Sequence, residues 1–153
     1  MHHGVVYIDE ARGLHLYGGI DDLWINSEGA YHVVDYKATA KDQPVTELAS
    51  WTSGYKRQME VYQWLLRKNG LKVSNTAYFV YCTGDSSAES FDNKIQFHTH
   101  LIPYEGDDSW VENVLTDLHL CLQNTKLPHK SETCLYCGFF KKLYEELRVN
   151  SLM

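Results

Sequence analysis

Two aspartates and one lysine are the side chains of this sequence best placed to do chemistry. Asp21 closes the run Gly-Gly-Ile-Asp, and Asp35 and Lys37 follow fourteen and sixteen residues later, on either side of a tyrosine. Two carboxylates that face each other repel, so such a pair is unfavourable unless a cation lies between them. Two acids and a lysine around a divalent metal ion are groups that hydrolyse phosphodiester bonds. These residues therefore predict metal-dependent phosphodiester chemistry if the fold brings them together.

A β-hairpin would bring the three residues together. The runs at 14–25 and 30–38 are rich in β-forming residues, and the turn cluster Asn-Ser-Glu-Gly separates them. If a three-residue loop ends at Gly29 with a positive φ, Asp21 lies directly opposite Asp35. The Cβ atoms of such a cross-strand pair lie about 5 Å apart.

Alternation along the strands decides which neighbouring side chains join this pair. Successive side chains of a strand point to opposite faces, so Lys37 lies on the same face as Asp35. The same rule points Asp22 to the opposite face from Asp21. We therefore expect Asp22 to be a polar group at the surface or the edge of the core.

The remaining patterns predict a single α/β domain over residues 1–153, with a mixed central β-sheet flanked by helices. Its length is sufficient for a hydrophobic core. The predicted strands are Val5–Asp9, Leu14–Ile25, Ala30–Ala38, Asn75–Thr83 and Lys94–Tyr104. The first predicted helix runs from about Pro44 to Lys68, with Ser53-Gly54 as a candidate break into two pieces. The second runs from Asp107 to Leu122, with Trp110, Val114, Leu118 and Cys121 along one apolar side, and the third from Cys134 to Arg148.

The first predicted helix carries a glutamine and a tyrosine that can act together. Gln58 and Tyr62 are four residues apart, so they leave one face of a helix and can form a hydrogen bond. We expect this face of the helix to be directed toward the sheet.

Three motifs in this order resemble those of the PD-(D/E)XK nucleases. They are Gly-Gly-Ile-Asp21, Val-Val-Asp35-Tyr-Lys37 and Gln58-x-x-x-Tyr62. The closest resemblance is to the RecB-like branch, which includes the CRISPR-adaptation nucleases. It implies a restriction-endonuclease-like fold and the hydrolysis of DNA, in repair, recombination or phage- and CRISPR-related processing. Whether such an enzyme acts as an exonuclease or an endonuclease is left open.

The resemblance also implies a role for each matched residue. The ligands of a Mg²⁺ or Mn²⁺ ion would be the carboxylates of Asp21 and Asp35 and the backbone carbonyl of Tyr36. Lys37 would orient the attacking water or stabilise the charge that develops on the phosphate. Gln58 and Tyr62 would hold the scissile strand or brace the catalytic strands.

The chain also departs from the family pattern. The family usually begins with a helix that carries a Glu or His of the site, whereas the residues before Leu14 read as a strand and a turn. A minimal or truncated nuclease is therefore expected, its site incomplete unless a protein partner or an oligomer supplies the helix. The rival interpretation is a non-catalytic nucleic-acid-binding or interaction module that retains the fold. A third is a metal-dependent hydrolase with a substrate other than DNA.

Composition constrains the partners of the chain. The formal net charge of −6 argues against a general polyanion binder, although Lys41, Lys56 and Arg57 are candidate contacts for nucleic acid. No apolar run approaches the roughly 20 residues that a membrane helix requires. The first residues have no hydrophobic signal-peptide core, so a cytoplasmic location is expected.

Cysteines raise the question of a second metal site. Cys134 and Cys137 open a C-terminal helical segment at about 129–150. Some RecB-like members bind an iron–sulfur cluster there, but Leu143 stands where the next cysteine would be expected. Zinc ligands could come from Cys134, Cys137, His129 and either Cys121 or His119. The single Cys-x-x-Cys favours no metal over zinc or a cluster, and Cys82 and Cys121 are expected to be small apolar core residues.

Overall fold

The computed structural model describes residues 4–49, 52–87, 89–90 and 93–150, with side chains up to residue 148. Within these residues the chain forms six strands and three helices. In chain order they are β1 (Val5–Asp9), β2 (Leu14–Gly18), β3 (Asp22–Ile25), β4 (Tyr31–Lys41), α1 (Ser53–Lys68), β5 (Thr76–Asp85), β6 (Phe97–Glu105), α2 (Val111–Gln123) and α3 (Leu135–Asn150).

Contacts divide the chain into two compact units, one up to Thr116 and one from Asp117 onward, and each is described by itself. The first unit contains all six strands and α1, and the second contains α3. No helix in the described part of the chain has the length and apolar character needed to cross a membrane.

The main sheet has four strands in the order β3-β4-β5-β6. β4 and β5 are parallel, and the two outer strands are antiparallel to their neighbours. Parallel neighbours require a crossover connection, and α1 lies in the connection between β4 and β5. The predicted α/β class with a mixed sheet is therefore confirmed.

One predicted strand is in fact two. The run 14–25 was expected to be continuous, but β2 pairs with β1 in a separate two-stranded sheet, and β3 pairs with β4. Glycine at position 18 permits the change, because a Cβ there would lie 2.6 Å from Cε1 of Tyr62. The chain passes under the tyrosine ring at Gly18 and joins the main sheet at Asp22.

Helix α1 covers one face of the main sheet. Met59 and Leu66 are buried against Val33 of β4, Phe79 of β5 and Ile102 of β6. Full burial of an apolar side chain of this size contributes about 1.5–3 kcal/mol relative to an exposed one. The hydrophobic core therefore fixes α1 over the sheet whose strand β4 carries Asp35 and Lys37.

The start of α1 was predicted wrongly. The helix begins at Ser53, where Ser53-Gly54 was the candidate break, rather than near Pro44. Residues 50 and 51 of the predicted helix lie outside the described chain. Val45 donates its backbone N–H to Oγ1 of Thr83 at 3.2 Å, and its side chain packs against the core. The segment after Pro44 is thus held at the end of the sheet by a non-helical hydrogen bond.

The apolar side of α2 was also predicted wrongly. Val111 and Leu115 are its buried residues, whereas Val114 and Leu118 are 49% and 42% exposed. Cys121 is exposed as well, so it is not the core residue that was expected. The buried side of α2 differs from the predicted one because Val111 and Leu115 pack against Trp64 and Leu65 of α1.

We predict that Gly18→Ala lowers the free energy of unfolding by about 1–3 kcal/mol, because the new methyl group overlaps the Tyr62 ring. Urea denaturation measures the change. The matched control is Gly19→Ala, where a Cβ meets nothing within 4 Å, and it should change stability by less than about 1 kcal/mol. Equal stability of Gly18→Ala and Gly19→Ala would contradict the close packing of Gly18 against the Tyr62 ring.

A polar network holds the β1–β2 hairpin to α2. Arg12 forms ion pairs with Asp9 and with Glu112, and Lys68 of α1 also pairs with Glu112. Hydrogen bonds from Arg12 keep the pKa of Asp9 below its ordinary value of 3.8. A carboxylate whose pKa is lowered by folding stabilises the fold above its unfolded pKa and loses that contribution as the pH falls through its folded pKa.

We therefore predict that Asp9→Asn lowers the free energy of unfolding at pH 7, and that its difference from the original chain shrinks as the pH falls below about 4. Denaturation curves at several pH values measure this. Glu10→Gln, at the neighbouring exposed position, should change stability by no more than about 0.5 kcal/mol. A difference that does not vary with pH would rule out the ion pair as its source.

Candidate active site

The β3–β4 loop has the predicted length and conformation. Asn26 donates its backbone N–H to the carbonyl of Ala30 at 3.0 Å, and Gly29 donates back to the carbonyl of Asn26 at 3.0 Å. The φ of Gly29 is +74°, a conformation that residues with a Cβ rarely adopt. The loop between Asn26 and Ala30 therefore has three residues, which sets the register of both strands.

This register brings the two candidate aspartates together. The pairing of β3 with β4 ends with Asp22 opposite Val34. The same register extended by one residue sets Asp21 opposite Asp35, and the charge of Asp21 acts on the pKa of Asp35. Oδ2 of Asp21 accepts a hydrogen bond from the backbone N–H of Tyr36 at 3.0 Å. The predicted juxtaposition is confirmed, with Asp21 immediately before β3 and Asp35 in the middle of β4.

Asp35 is a buried carboxylate, 2% exposed, and it forms an ion pair with Lys37. Burial raises the pKa of Asp35, while the hydrogen bond and charge of Lys37 lower it and the charge of Asp21 raises it. The effect of burial on the pKa of Asp35 is therefore larger than the opposing effect of Lys37. Among the described residues, the partner that the structure gives Oδ2 of Asp35 is the Lys37 ammonium.

Two tyrosines that the sequence analysis missed surround the lysine. Nζ of Lys37 lies 4.5 Å from the ring centre of Tyr55, a cation–π contact with the first turn of α1. Tyr81 lies beside Lys37 in the β4–β5 register, and burial raises its pKa. Neither residue has a local signal, because both contacts depend on how α1 and β5 meet β4.

Gln58 and Tyr62 form the hydrogen bond that their spacing predicted. Nε2 of Gln58 donates to the tyrosine hydroxyl at 2.8 Å. The Tyr62 ring lies against Gly18, so the pair joins α1 to the end of β2. This contact supports the turn that delivers Asp21 to the site. A direct role of either residue on a substrate strand stays a prediction.

Asp22 lies on the opposite face of the hairpin from the candidate site, as predicted. Its carboxylate accepts hydrogen bonds from the Tyr36 hydroxyl at 2.8 Å and from Nε1 of Trp24 at 3.1 Å. The hydrogen bond from Tyr36 is the main reason why the pKa of Asp22 is lowered. Asp22 therefore orients the side chain of Tyr36, the residue between Asp35 and Lys37 in β4.

The three basic residues considered for nucleic-acid binding have different surroundings. Lys41 is exposed at the end of β4. Nζ of Lys56 lies 5.7 Å from the ring centre of Tyr104. Arg57 lines a surface cavity together with Glu60, Trp110 and Val114. Since neighbouring residues of a helix point about 100° apart, Lys56 and Arg57 leave α1 in different directions from Gln58.

The C-terminal cysteines lie at the start of α3. Sγ of Cys134 accepts a hydrogen bond from the backbone N–H of Cys137 at 3.5 Å, and this bond lowers the pKa of the Cys134 thiol. The side-chain hydrogen bond between the two cysteines raises the pKa of the Cys137 thiol. His129 and Cys121 are exposed. In the part of the chain that is described, no three His, Cys, Asp or Glu side chains lie close enough to hold a metal ion. The zinc or iron–sulfur site, which the sequence did not favour, stays an untested alternative.

Asp21 and Asp35 nevertheless fit a hard divalent cation. Carboxylate oxygens are the ligands that Mg²⁺ and Mn²⁺ prefer. The two carboxylates are close enough for the charge of Asp21 to raise the pKa of Asp35, and Lys37 only partly compensates the buried Asp35 charge. A cation between them would relieve both the repulsion of the pair and the burial of the Asp35 charge. The donor set is therefore suited to one such ion.

Fold and site together define an α/β protein with an acid–acid–lysine centre on adjacent strands of a mixed sheet. The family model of the PD-(D/E)XK nuclease superfamily matches residues 2–140. The chain therefore belongs to this superfamily, and its four-stranded mixed sheet with flanking helices is a restriction-endonuclease-like fold. Nucleases of the superfamily generally use Mg²⁺ or Mn²⁺. No curated protein and no solved structure matches the chain.

We predict that Lys37→Met raises the pKa of Asp35 further, because the lysine opposes the effect of burial. A carboxyl whose pKa is raised by folding destabilises the fold as the pH rises through and above its unfolded pKa, so the variant should lose stability as the pH increases from about 4. Carbon-13 NMR titration of the aspartate carboxyl groups measures the pKa directly.

The control for this titration is Lys41→Met, at an exposed position four residues further along the same strand. It should leave the pKa of Asp35 where it is in the original chain. An unchanged pKa of Asp35 in Lys37→Met would show that the ion pair does not form in solution.

Proposed function

We propose that the chain is a Mg²⁺- or Mn²⁺-dependent deoxyribonuclease of the RecB-like branch that hydrolyses DNA phosphodiester bonds. The observation that carries the proposal is the meeting of Asp21, Asp35 and Lys37 on one face of the β3–β4 hairpin. A buried carboxylate beside a second carboxylate is unfavourable for folding alone. Such an arrangement is typical of a functional site.

The proposed roles follow from the positions of the side chains. Asp21 and Asp35 would hold the divalent ion, with the backbone carbonyl of Tyr36 as a third ligand. The ion would supply positive charge that offsets the negative charge developing on the scissile phosphate. Lys37 would lie beside the phosphate and donate hydrogen bonds to its oxygens or to the attacking water.

The residues around Lys37 would position its ammonium for this role. Tyr55 lies on one side of the lysine, and Asp35 pairs with it on another. Both contacts reduce the number of rotamers that the long lysine side chain can adopt. A group whose position is set before the substrate binds needs little reorganisation during the reaction.

DNA is the proposed partner, with RecB-like action in repair, recombination or phage- and CRISPR-related processing. Lys41, Lys56 and Arg57 are the proposed phosphate contacts outside the catalytic centre. Because the net charge of the chain is −6, binding should depend on these local cations and on the bound ion rather than on a general positive field. A partner protein or a second copy is proposed to complete the metal site.

We predict that the chain cleaves labelled single- or double-stranded DNA with Mn²⁺ or Mg²⁺ and not with EDTA. Lys37→Ala should reduce the rate by about 10²–10³-fold, the usual effect of removing one group that stabilises a transition state. Gel analysis of end-labelled substrates measures the rate and separates exonuclease from endonuclease products.

Two adjacent aspartates provide the matched control. Asp21→Asn should weaken Mn²⁺ binding measured by electron paramagnetic resonance, whereas Asp22→Asn should preserve it because Asp22 lies on the other face of the hairpin. Equal Mn²⁺ binding by both variants would place the ion elsewhere. Cleavage that persists in Lys37→Ala would mean that a different centre, or a contaminating nuclease, is responsible.

A second candidate function is a non-catalytic nucleic-acid-binding or interaction module. The observation that favours it is the lack, among the described residues, of a third acidic, histidine or cysteine side chain beside Asp21 and Asp35. This alternative expects DNA binding without cleavage under any metal condition. A metal-dependent hydrolase with another substrate would instead bind Mn²⁺ but leave all nucleic acids intact.

A further inference from the structure

Cys134 occupies the position that caps the first turn of α3. Its backbone carbonyl accepts the N–H of Gly138 at 3.0 Å, which is the first helical hydrogen bond. Its Sγ accepts the N–H of Cys137 at 3.5 Å, the donor that a serine, threonine or aspartate oxygen usually satisfies at this position. The cap therefore presents a sulfur atom to an N–H group of the helix start.

Cys137 lies three residues further along and faces the same side of the first turn. Both thiols are free and partly exposed. Two thiols held in one turn can close a disulfide without a large loss of chain entropy, because the residues between them are already ordered. An N–H donor at the helix start also favours negative charge on the Cys134 sulfur, and the thiolate is the form that reacts.

We propose that Cys134 and Cys137 form a redox-active dithiol, a site for thiol–disulfide exchange with low-molecular-weight disulfides. The proposal is independent of nuclease activity, because it concerns only the start of α3. It distinguishes this pair from the other two cysteines. Cys82 lies within β5, where its sulfur accepts a hydrogen bond from Thr99 at 3.8 Å, and Cys121 lies near the end of α2.

The exchange proceeds in two balanced steps. The Cys134 thiolate attacks one sulfur of the small disulfide, whose S–S bond breaks, and the departing thiolate takes a proton from water. The Cys137 thiol then loses its proton to water and attacks Sγ of Cys134. The mixed disulfide breaks, and the second small thiolate leaves and takes a proton from water. The protein dithiol is thus oxidised by two electrons, and the small disulfide is reduced to two thiols.

The test equilibrates the full chain in buffers with increasing ratios of glutathione disulfide to glutathione. Acid quenching, alkylation and peptide mass spectrometry then identify each cysteine as free, mixed or paired. We expect an intramolecular disulfide between Cys134 and Cys137 that is reversed by excess glutathione, while Cys82 and Cys121 stay free. Circular dichroism of each variant checks that its helices are retained.

Three cysteine variants separate the roles of the two sulfurs. Cys137→Ser should trap glutathione on Cys134, because the resolving thiol is missing. Cys134→Ser keeps a capping oxygen at the helix start and should acquire less glutathione on its remaining thiol. Cys121→Ser, the control, should form the Cys134–Cys137 disulfide at the same buffer ratio as the original chain.

Two outcomes would overturn the proposal. One is the absence of a Cys134–Cys137 disulfide at the most oxidising ratio, or its formation no more readily than pairs with Cys82 or Cys121. The other is stoichiometric zinc or iron in the purified original chain, with both thiols alkylated only after a chelator removes the metal. In this case, both Cys134→Ser and Cys137→Ser would lack the metal. That second result would assign the two sulfurs to a metal site.

Discussion

The burial of one carboxylate, that of Asp35, is the constraint around which the first unit is arranged. A charged group at 2% exposure is tolerated only with compensation nearby. Lys37 supplies part of that compensation from the same strand, but Asp21 works against it from the facing strand. The balance leaves the pKa of Asp35 raised, and carboxyl groups with pKa values perturbed in this way are common at functional sites.

Helix α1 must therefore be positioned accurately over the sheet, and buried polar side chains contribute to this. Glu60 accepts hydrogen bonds from the Tyr104 hydroxyl and from Nε1 of Trp110. Gln63 donates to the backbone carbonyls of Ser74 and Asn75. Hydrogen bonds require specific geometry, whereas apolar contacts tolerate small shifts. The polar contacts thus fix the rotation of α1 that brings a tyrosine against the lysine.

The parts of the site that could be predicted are those governed by local geometry. The length of the β3–β4 loop and a glycine at its end set the register, and alternation then assigned Asp35 and Lys37 to one face and Asp22 to the other. Gln58 and Tyr62 were predictable because residues four apart share a helical face. The break of the 14–25 run was not predictable, since the close approach of Gly18 to the Tyr62 ring depends on where α1 packs.

By itself, the sequence determined the α/β class, the hairpin register and the acid–acid–lysine group, because each follows from periodicity or from a turn of fixed length. Tertiary structure alone decided that Asp35 is buried, that Tyr55 and Tyr81 surround the lysine, and that Cys121 is exposed. These features arise where separate elements meet. Their contacts depend on the offset and rotation of whole helices and strands, which no pattern within a single element encodes.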